Sequence, residues 1–219
     1  MTTTPRLACF DLDNTLIDRD GAFVAWAEWW ARREGLGDEA VEWLLTHDEG
    51  GFRPRVELFA MAKARFGLAA EVQELVDAYD REHPPFTSAD SAVLDGIASL
   101  RTAGWRVAVV TNGGVVQQSL KLDRTGIGAA VDYCCISEQV GVRKPDPTIF
   151  KIAAARTGAT LAGGWMVGDH PAYDIAGGIA AGLSTVLVGD HHRAAVTPEQ
   201  APTHHFESVL PAFQVILGR

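Results

Sequence analysis

An open, doubly wound parallel α/β sheet with an inserted α-helical domain is the fold that this chain of 219 residues predicts. Three observations predict it. Short, continuously apolar runs recur along the chain, each followed within a residue or two by Asp, Thr-Asn-Gly or Gly-Asp. Strands buried on both faces of a parallel sheet read this way, apolar throughout rather than alternating, with turn chemistry at the carboxyl end. Segments of helical spacing lie between the runs, as right-handed βαβ units require. Residues 18–85 break that rhythm with several helical patterns and no convincing strand, which gives a core domain of 1–17 and 86–219 and a helical domain of 18–85.

The first strand, Leu7 to Phe10, runs into Asp11-Leu12-Asp13-Asn14-Thr15-Leu16. Strand side chains alternate faces, so Asp11 and Asp13 point the same way if the extended path persists. Two such charges repel unless a cation neutralises one or a proton sits on the other. The same Asp-x-Asp also suits an exposed turn with Asp13-Asn14 as turn formers. In the insertion, helical faces are traced by Phe23, Trp26 and Trp30, then Val56, Phe59, Ala60 and Lys63, then Val72, Leu75 and Tyr79; Pro84-Pro85 ends it. Trp26, Trp29, Trp30 and Trp43 fall here and read as the packing of a small helical core. His47 to Arg55 reads as a mobile loop between helices.

Beyond the insertion, Val93, Ile97 and Leu100 fit a helix stopped by Gly104. The strand Val107 to Val110 leads into Thr111-Asn112-Gly113-Gly114, a hydroxyl, an amide and flexible backbone suited to hydrogen-bonding a phosphate, although Asn-Gly is also a common turn. Val131 to Ile136 is a weaker strand candidate. Arg143-Lys144-Pro145-Asp146-Pro147 fixes a cation at a rigid boundary before a helix traced by Ile149, Ile152 and Ala153 and closed near Gly158. The strand Trp165 to Val167 leads into Gly168-Asp169-His170-Pro171-Ala172-Tyr173-Asp174, whose carboxylates are hard ligands suited to Mg²⁺, and Thr185 to Val188 supplies a last strand. Ligands of open parallel sheets bind where these strand ends gather.

Hydrophobic residues make up 47% and charged residues 21% of the chain, as in an ordinary soluble globular protein. The formal charge of −9 speaks against a nucleic acid or an anionic membrane as partner, while leaving room for a small anion held by a local cluster of Lys, backbone N–H and metal. No basic-then-apolar leader follows Met1, and no apolar run reaches membrane-spanning length. Cys9, Cys134 and Cys135 lie in apolar runs as small hydrophobes, so the reading is a cytoplasmic protein; the sequence is compatible with a monomer or a homodimer alike. The pairs His191-His192 and His204-His205 read as surface loops.

Taken in order at strand ends, Asp11-Leu12-Asp13-Asn14-Thr15-Leu16, Thr111-Asn112-Gly113, Lys144-Pro145 and Gly168-Asp169 through Asp174 resemble the four motifs of the haloacid dehalogenase (HAD) superfamily of phosphohydrolases. Lys121 to Gly126 and Val142 to Phe150 resemble the subgroup whose helical cap follows the first motif. The resemblance implies a Rossmann-like core with an inserted cap, and a nucleophile, Asp11, that forms an aspartyl-phosphate later hydrolysed by water. Asp13 would protonate the leaving oxygen and then accept a proton from water. Mg²⁺ would sit on the side chains of Asp11 and Asp169 and the backbone carbonyl of Asp13, with Asp174 orienting its waters or ligating it more weakly. Thr111 and the backbone N–H of Asn112 would bind phosphoryl oxygens, and Lys144 would offset charge on Asp11 and the transferring group. His170 stands where many members carry a small residue, and is read as hydrogen-bonding within its loop rather than as a base.

The implied activity is Mg²⁺-dependent removal of phosphate from a small phosphorylated metabolite. Asp13 and the acidic pair Asp169 and Asp174 argue against dehalogenation, since the dehalogenating branch lacks the second Asp of the first motif. The phosphonate-cleaving branch uses a cap lysine, and Lys63, the one lysine of the insertion, lies on a helix pattern. A sugar-phosphate mutase would keep both Asp11 and Asp13, and a catalytically silent binding module is the alternative of another class. The cap is expected to close over the site and select the leaving group, with Arg53 or Arg55 either reaching a distal anionic part of the substrate or forming cap-internal ion pairs.

Overall fold

The computed structural model describes residues 4–190 and 195–218, so His191-His192 lies outside the described residues. Parallel strands β1 (Arg6–Phe10), β2 (Arg106–Thr111), β3 (Tyr133–Ile136), β4 (Thr160–Gly168), β5 (Ser184–Val188) and β6 (His204–Phe206) form one sheet in the order β3-β2-β1-β4-β5-β6. The helices are α1 (Arg19–Arg33), α2 (Asp38–Asp48), α3 (Arg55–Phe66), α4 (Val72–Glu82), α5 (Ser91–Thr102), α6 (Val115–Thr125), α7 (Ile127–Ala130), α8 (Ser137–Val140), α9 (Thr148–Thr157), α10 (Ala176–Ala180) and α11 (Leu210–Leu217). The chain divides into two compact units: Met1–Ile17 with Ser88–Arg219, and Asp18–Thr87. No helix among the described residues is long and apolar enough to cross a membrane.

In the sheet unit, β1 explains why its sequence shows no alternation. Leu7 and Cys9 face Ala108, Val110, Met166 and the α9 residues Ile149, Phe150 and Ala153. Ala8 and Phe10 face the other way, against Val107, Val109, Val167, the α5 residues Val93, Ile97 and Leu100, and Phe213 of α11. Both faces are covered, so every position is apolar. Burial raises the Cys9 thiol pKa above its ordinary value and that of Cys135 to about 11, which leaves both as small hydrophobes.

Two strand features depart from the sequence reading. β4 begins at Thr160 rather than Trp165, because the register shifts between the Arg6 and Ala8 pairings and the strand absorbs extra residues there. Its Gly164 lies so close to β1 that a Cβ would come 2.6 Å from the Leu7 carbonyl oxygen, so glycine is a packing requirement there. His204-His205 is not a surface loop. It belongs to β6, where backbone pairing with β5 and the contact between His205 Nε2 and the Gly189 carbonyl, 3.0 Å, hold a short edge strand of partly buried residues.

The helical unit packs around Trp26, whose ring lies 4.8 Å from Tyr79, 5.5 Å from Phe23, 5.8 Å from Trp30 and 6.1 Å from Phe59, centroid to centroid. Trp29 and Trp43 are partly buried against the same cluster. On α3 the inward stripe is Leu58, Phe59 and Ala62, while Val56 is 53% exposed and Ala60 is exposed. Lys63 is partly buried, its Nζ donating to the Ala70 carbonyl at 2.8 Å. Pro84-Pro85 opens a 3₁₀ turn, Pro84–Phe86, rather than ending the unit, and the Thr87 hydroxyl donates back to the Pro84 carbonyl at 2.7 Å. Truncating a fully buried aromatic leaves a cavity, so Trp26→Ala should destabilise the protein by about 3–5 kcal/mol in urea melts followed by circular dichroism. A change below about 1 kcal/mol would show that this ring is not the packing centre of the unit.

Candidate active site

β1 ends at Phe10, and the Asp11 N–H is still held by the Val167 carbonyl at 2.9 Å. The chain then curls at once: the Leu12 carbonyl accepts from the N–H of Leu16 and Ile17 at 3.0 and 3.1 Å, and Asn14 takes φ 55°, a left-handed conformation that Asn tolerates. The extended path therefore does not persist. Asp11 Oδ1 accepts from Lys144 Nζ at 2.6 Å, whereas both Asp13 oxygens accept from Lys121 Nζ at 2.8 Å and Oδ2 also from Gln118 Nε2 at 3.1 Å. Two carboxylates expected on one face are held by two different lysines.

Lys144 is the hub of the first group. Its ammonium, 2% exposed, also donates to Asp174 Oδ1 at 2.7 Å, and the second Asp174 oxygen accepts from the His170 N–H at 3.0 Å. Asp174 sits on a π-helical turn, Pro171–Ile175, pressed against the end of β4: a Cβ on Gly168 would come 2.3 Å from its carboxyl carbon, so only glycine fits there. Asp11, Asp169 and Asp174 each offer a carboxylate oxygen, and these oxygens lie within 4.8 Å of one another. The Asp13 side chain is not among them.

Burial first, and then the charges of its neighbours Asp174 and Asp13, hold the Asp11 pKa well above the usual carboxylate range in spite of Lys144. Burial, then Asp174 and Asp11, does the same to Asp169. Burial alone would lower the Lys144 pKa, but Asp11 and Asp174 outweigh it and the ammonium is held more firmly than usual. Three carboxylates around one ammonium leave a surplus of negative charge, and hard oxygen donors in that surplus fit a divalent cation such as Mg²⁺.

Thr111 closes β2, buried, with its Oγ1 accepting from Gln118 Nε2 at 2.7 Å. The Asn112 side-chain amide is taken up by the Lys144 backbone. Its Oδ1 accepts from the Lys144 N–H at 2.9 Å and its Nδ2 donates to the Lys144 carbonyl at 3.1 Å, a two-way clamp that fixes the lysine backbone. His170 Nδ1 accepts from the N–H of Ala172 and Tyr173 at 3.1 and 3.3 Å, and its ring stacks on Tyr173.

Gln118 and Lys121 had no assigned role in the sequence reading, though a signal was there. On α6 the polar Gln118, Lys121 and Thr125 are buried at helical spacing, while Val116 is 54% and Leu120 39% exposed. A helix that turns polar residues inward and apolar ones outward has something polar to hold.

A family model, haloacid dehalogenase-like hydrolase, matches residues 5–182. The chain belongs to the haloacid dehalogenase-like hydrolases. It is 33% identical over 196 residues to a phosphoserine phosphatase of Thermus thermophilus, covering 84% of this chain and 75% of the relative. It is 40% identical over 104 residues to the pyrimidine 5′-nucleotidase YjjG of Escherichia coli, a match spanning 46% of each chain. In fold it superposes on the defluorinating L-2-haloacid dehalogenase Rha0230 with a TM-score of 0.74 at 17% identity, covering 97% of this chain and 95% of that one. The fold therefore hosts more than one reaction, and the residues of this HAD hydrolase must choose among them.

Arg53 and Arg55, read either as contacts to a distal anion or as members of cap-internal ion pairs, form ion pairs within the helical unit of this HAD hydrolase. Arg53 pairs with Glu49 and donates through Nε to the His47 carbonyl at 2.5 Å. Arg55 Nη1 donates at 2.5 Å to Asp48, which is 2% exposed and also paired with the buried Arg19 at 2.5 and 2.8 Å. His47 and Asp48 end α2, Glu49–Gly51 forms a 3₁₀ turn and Arg55 opens α3, so the expected loop is largely structured. Burial would raise the Asp48 pKa, but hydrogen bonds and charge from Arg19 and Arg55 outweigh it and the pKa lies below the usual carboxylate range. A depressed pKa contributes stability that is complete above the unfolded value, about 3.9, and is lost as pH falls through the folded one. Asp48→Asn should therefore cost about 3 kcal/mol at pH 7, with the gap to wild type closing as urea melts are taken to lower pH. A gap independent of pH would mean that the carboxylate charge contributes nothing.

Proposed function

We propose that the protein is a phosphohydrolase that removes phosphate from a small phosphorylated metabolite through an aspartyl-phosphate on Asp11. One observation carries the reading: Asp11, Asp169 and Asp174 converge within 4.8 Å around Lys144, while Asp13 is held apart by its own lysine. A dehalogenase that works through a carboxylate ester needs neither a cation site nor a second aspartate. The phosphatases among the sequence relatives support the same choice.

In the proposed reaction the Asp11 carboxylate attacks phosphorus, a new O–P bond forms, and the bond to the leaving oxygen breaks as Asp13 gives that oxygen a proton. Water then attacks the same phosphorus, Asp13 takes its proton, and inorganic phosphate leaves with Asp11 restored. Thr111 Oγ1 already accepts from Gln118, so its own proton is available to a phosphoryl oxygen, beside the backbone N–H of Asn112. Lys144, fixed at its backbone by Asn112, sets the orientation of Asp11 and offsets charge that builds in the transition state. Asp11, Asp169 and Asp174, with the Asp13 backbone carbonyl, would hold Mg²⁺, which when bound adds positive charge against the phosphoryl oxygens and Asp11.

Phosphate release from p-nitrophenyl phosphate should require added Mg²⁺, disappear with EDTA, and fall to background in Asp11→Asn. Mg²⁺ at about a hundred times its Kd should also stabilise the wild type by about 2.7 kcal/mol, and much less in Asp169→Asn. A folded wild type that releases no phosphate from a broad panel of phosphate esters would refute the reading. Conversion of one phosphosugar into its isomer without free phosphate would replace it with the mutase.

A further inference from the structure

We propose that Lys121 is a positioning residue for leaving-group protonation: with Gln118, it holds the Asp13 carboxyl group in the orientation from which its proton reaches the leaving oxygen. The proposal rests on the reading of Asp13 as proton donor given above. Lys121 is 2% exposed, and its Nζ lies 2.8 Å from both Asp13 oxygens. Gln118, 1% exposed, uses one amide nitrogen to reach Asp13 Oδ2 at 3.1 Å and Thr111 Oγ1 at 2.7 Å. The group that binds the phosphoryl oxygens and the group that serves the leaving oxygen are thereby held at a fixed separation.

Burying an ammonium costs several kcal/mol unless it is paired, and a hydrophobic residue of similar volume would pack α6 at no such cost. The helix instead exposes Val116 and Leu120 and turns Lys121 inward. The clamp serves Asp13 throughout the reaction. A carboxylate accepts from Lys121 through both oxygens, and a carboxylic acid still accepts through its carbonyl oxygen while its O–H is directed at the leaving oxygen. During transfer the Asp13 O–H bond breaks and the proton moves to the leaving oxygen, as the O–P bond to that oxygen breaks and the bond to Asp11 forms.

The test compares kcat/KM for 2,4-dinitrophenyl phosphate and for ethyl phosphate in wild type, Lys121→Met and Lys121→Arg. This ratio reports the steps through phosphoryl transfer to Asp11, and dinitrophenolate leaves without a proton whereas ethoxide does not. Lys121→Met should keep the dinitrophenyl value within about threefold and lose about 10²-fold on ethyl phosphate, the loss falling in kcat rather than KM. Lys121→Arg keeps the charge but not the reach, so its ethyl-to-dinitrophenyl ratio should fall between the other two. If Lys121→Met fails to melt cooperatively, the Lys121→Arg ratio decides alone: below wild type supports the role, equal to wild type overturns it. Equal losses on both esters, or no loss, also overturn it. A wild type inactive on both esters would instead defeat the phosphohydrolase reading itself.

Discussion

A lysine ammonium buried between two aspartates is the constraint on which the rest of this site depends. Lys144 donates to Asp11 and Asp174, residues 133 and 30 positions away in the chain, and is 2% exposed. Each ion loses several kcal/mol of hydration, which is recovered only when all three meet with good geometry. A partly formed site is therefore worse than none. The sheet, the π-helical turn that carries Asp174 and the Asn112 clamp on the Lys144 backbone must all be in place before the charges are tolerable. Such a site is preorganised, since its dipoles and charges are aligned before any substrate arrives.

Topology makes that meeting possible. The chain proceeds from β1 outward to β2 and β3, then returns to the other side of β1 with β4, β5 and β6. β1 is thus flanked by β2 and β4, and the segments leaving their carboxyl ends carry Asp11, Thr111 and Asp169 side by side at the place where strand order reverses. Gly168 at the end of β4 leaves room for the Asp174 carboxyl group to lie directly over the strand end.

Much of this was legible in residue order. Continuous apolar runs located β1, β2 and β5 because both faces of the sheet are covered, strand-end polar residues located Asp11, Thr111 and Asp169, and Pro-marked helix entrances located Lys144 and Asp174. What was hidden depends on contacts between distant segments. β6 is held by edge pairing, a histidine contact and a single core-packed apolar side chain, Phe206, so its sequence reads as loop. The reason for Gly164 is the Leu7 carbonyl of β1, a neighbour that residue order does not show. The Asn112 amide looks like a phosphate ligand until the Lys144 backbone arrives 32 residues later and occupies both of its ends. Lys121 carries no role of its own in residue order, and only the inward turn of α6 shows its contact with Asp13.

The turn at Leu12 draws these threads together. Two aspartates separated by one residue begin chemically equivalent, yet the proposed reaction asks one to attack phosphorus and the other to move protons. Repulsion alone does not assign those tasks, because it is symmetric between them. The asymmetry comes from the backbone: the chain curls through Asn14, sending Asp11 to the ammonium it shares with Asp174 and sending Asp13 to Lys121 and Gln118 on α6. Asp11 thereby lies against the Lys144 ammonium, within the three-carboxylate cluster whose surplus negative charge suits a divalent cation. Asp13 lies beside it, oriented but outside the three-carboxylate cluster, so the proton exchange proposed for it would leave the charge balance around Lys144 in place. The division of labour proposed for Asp-x-Asp thus rests on where the strand stops and on the left-handed Asn14 that follows it.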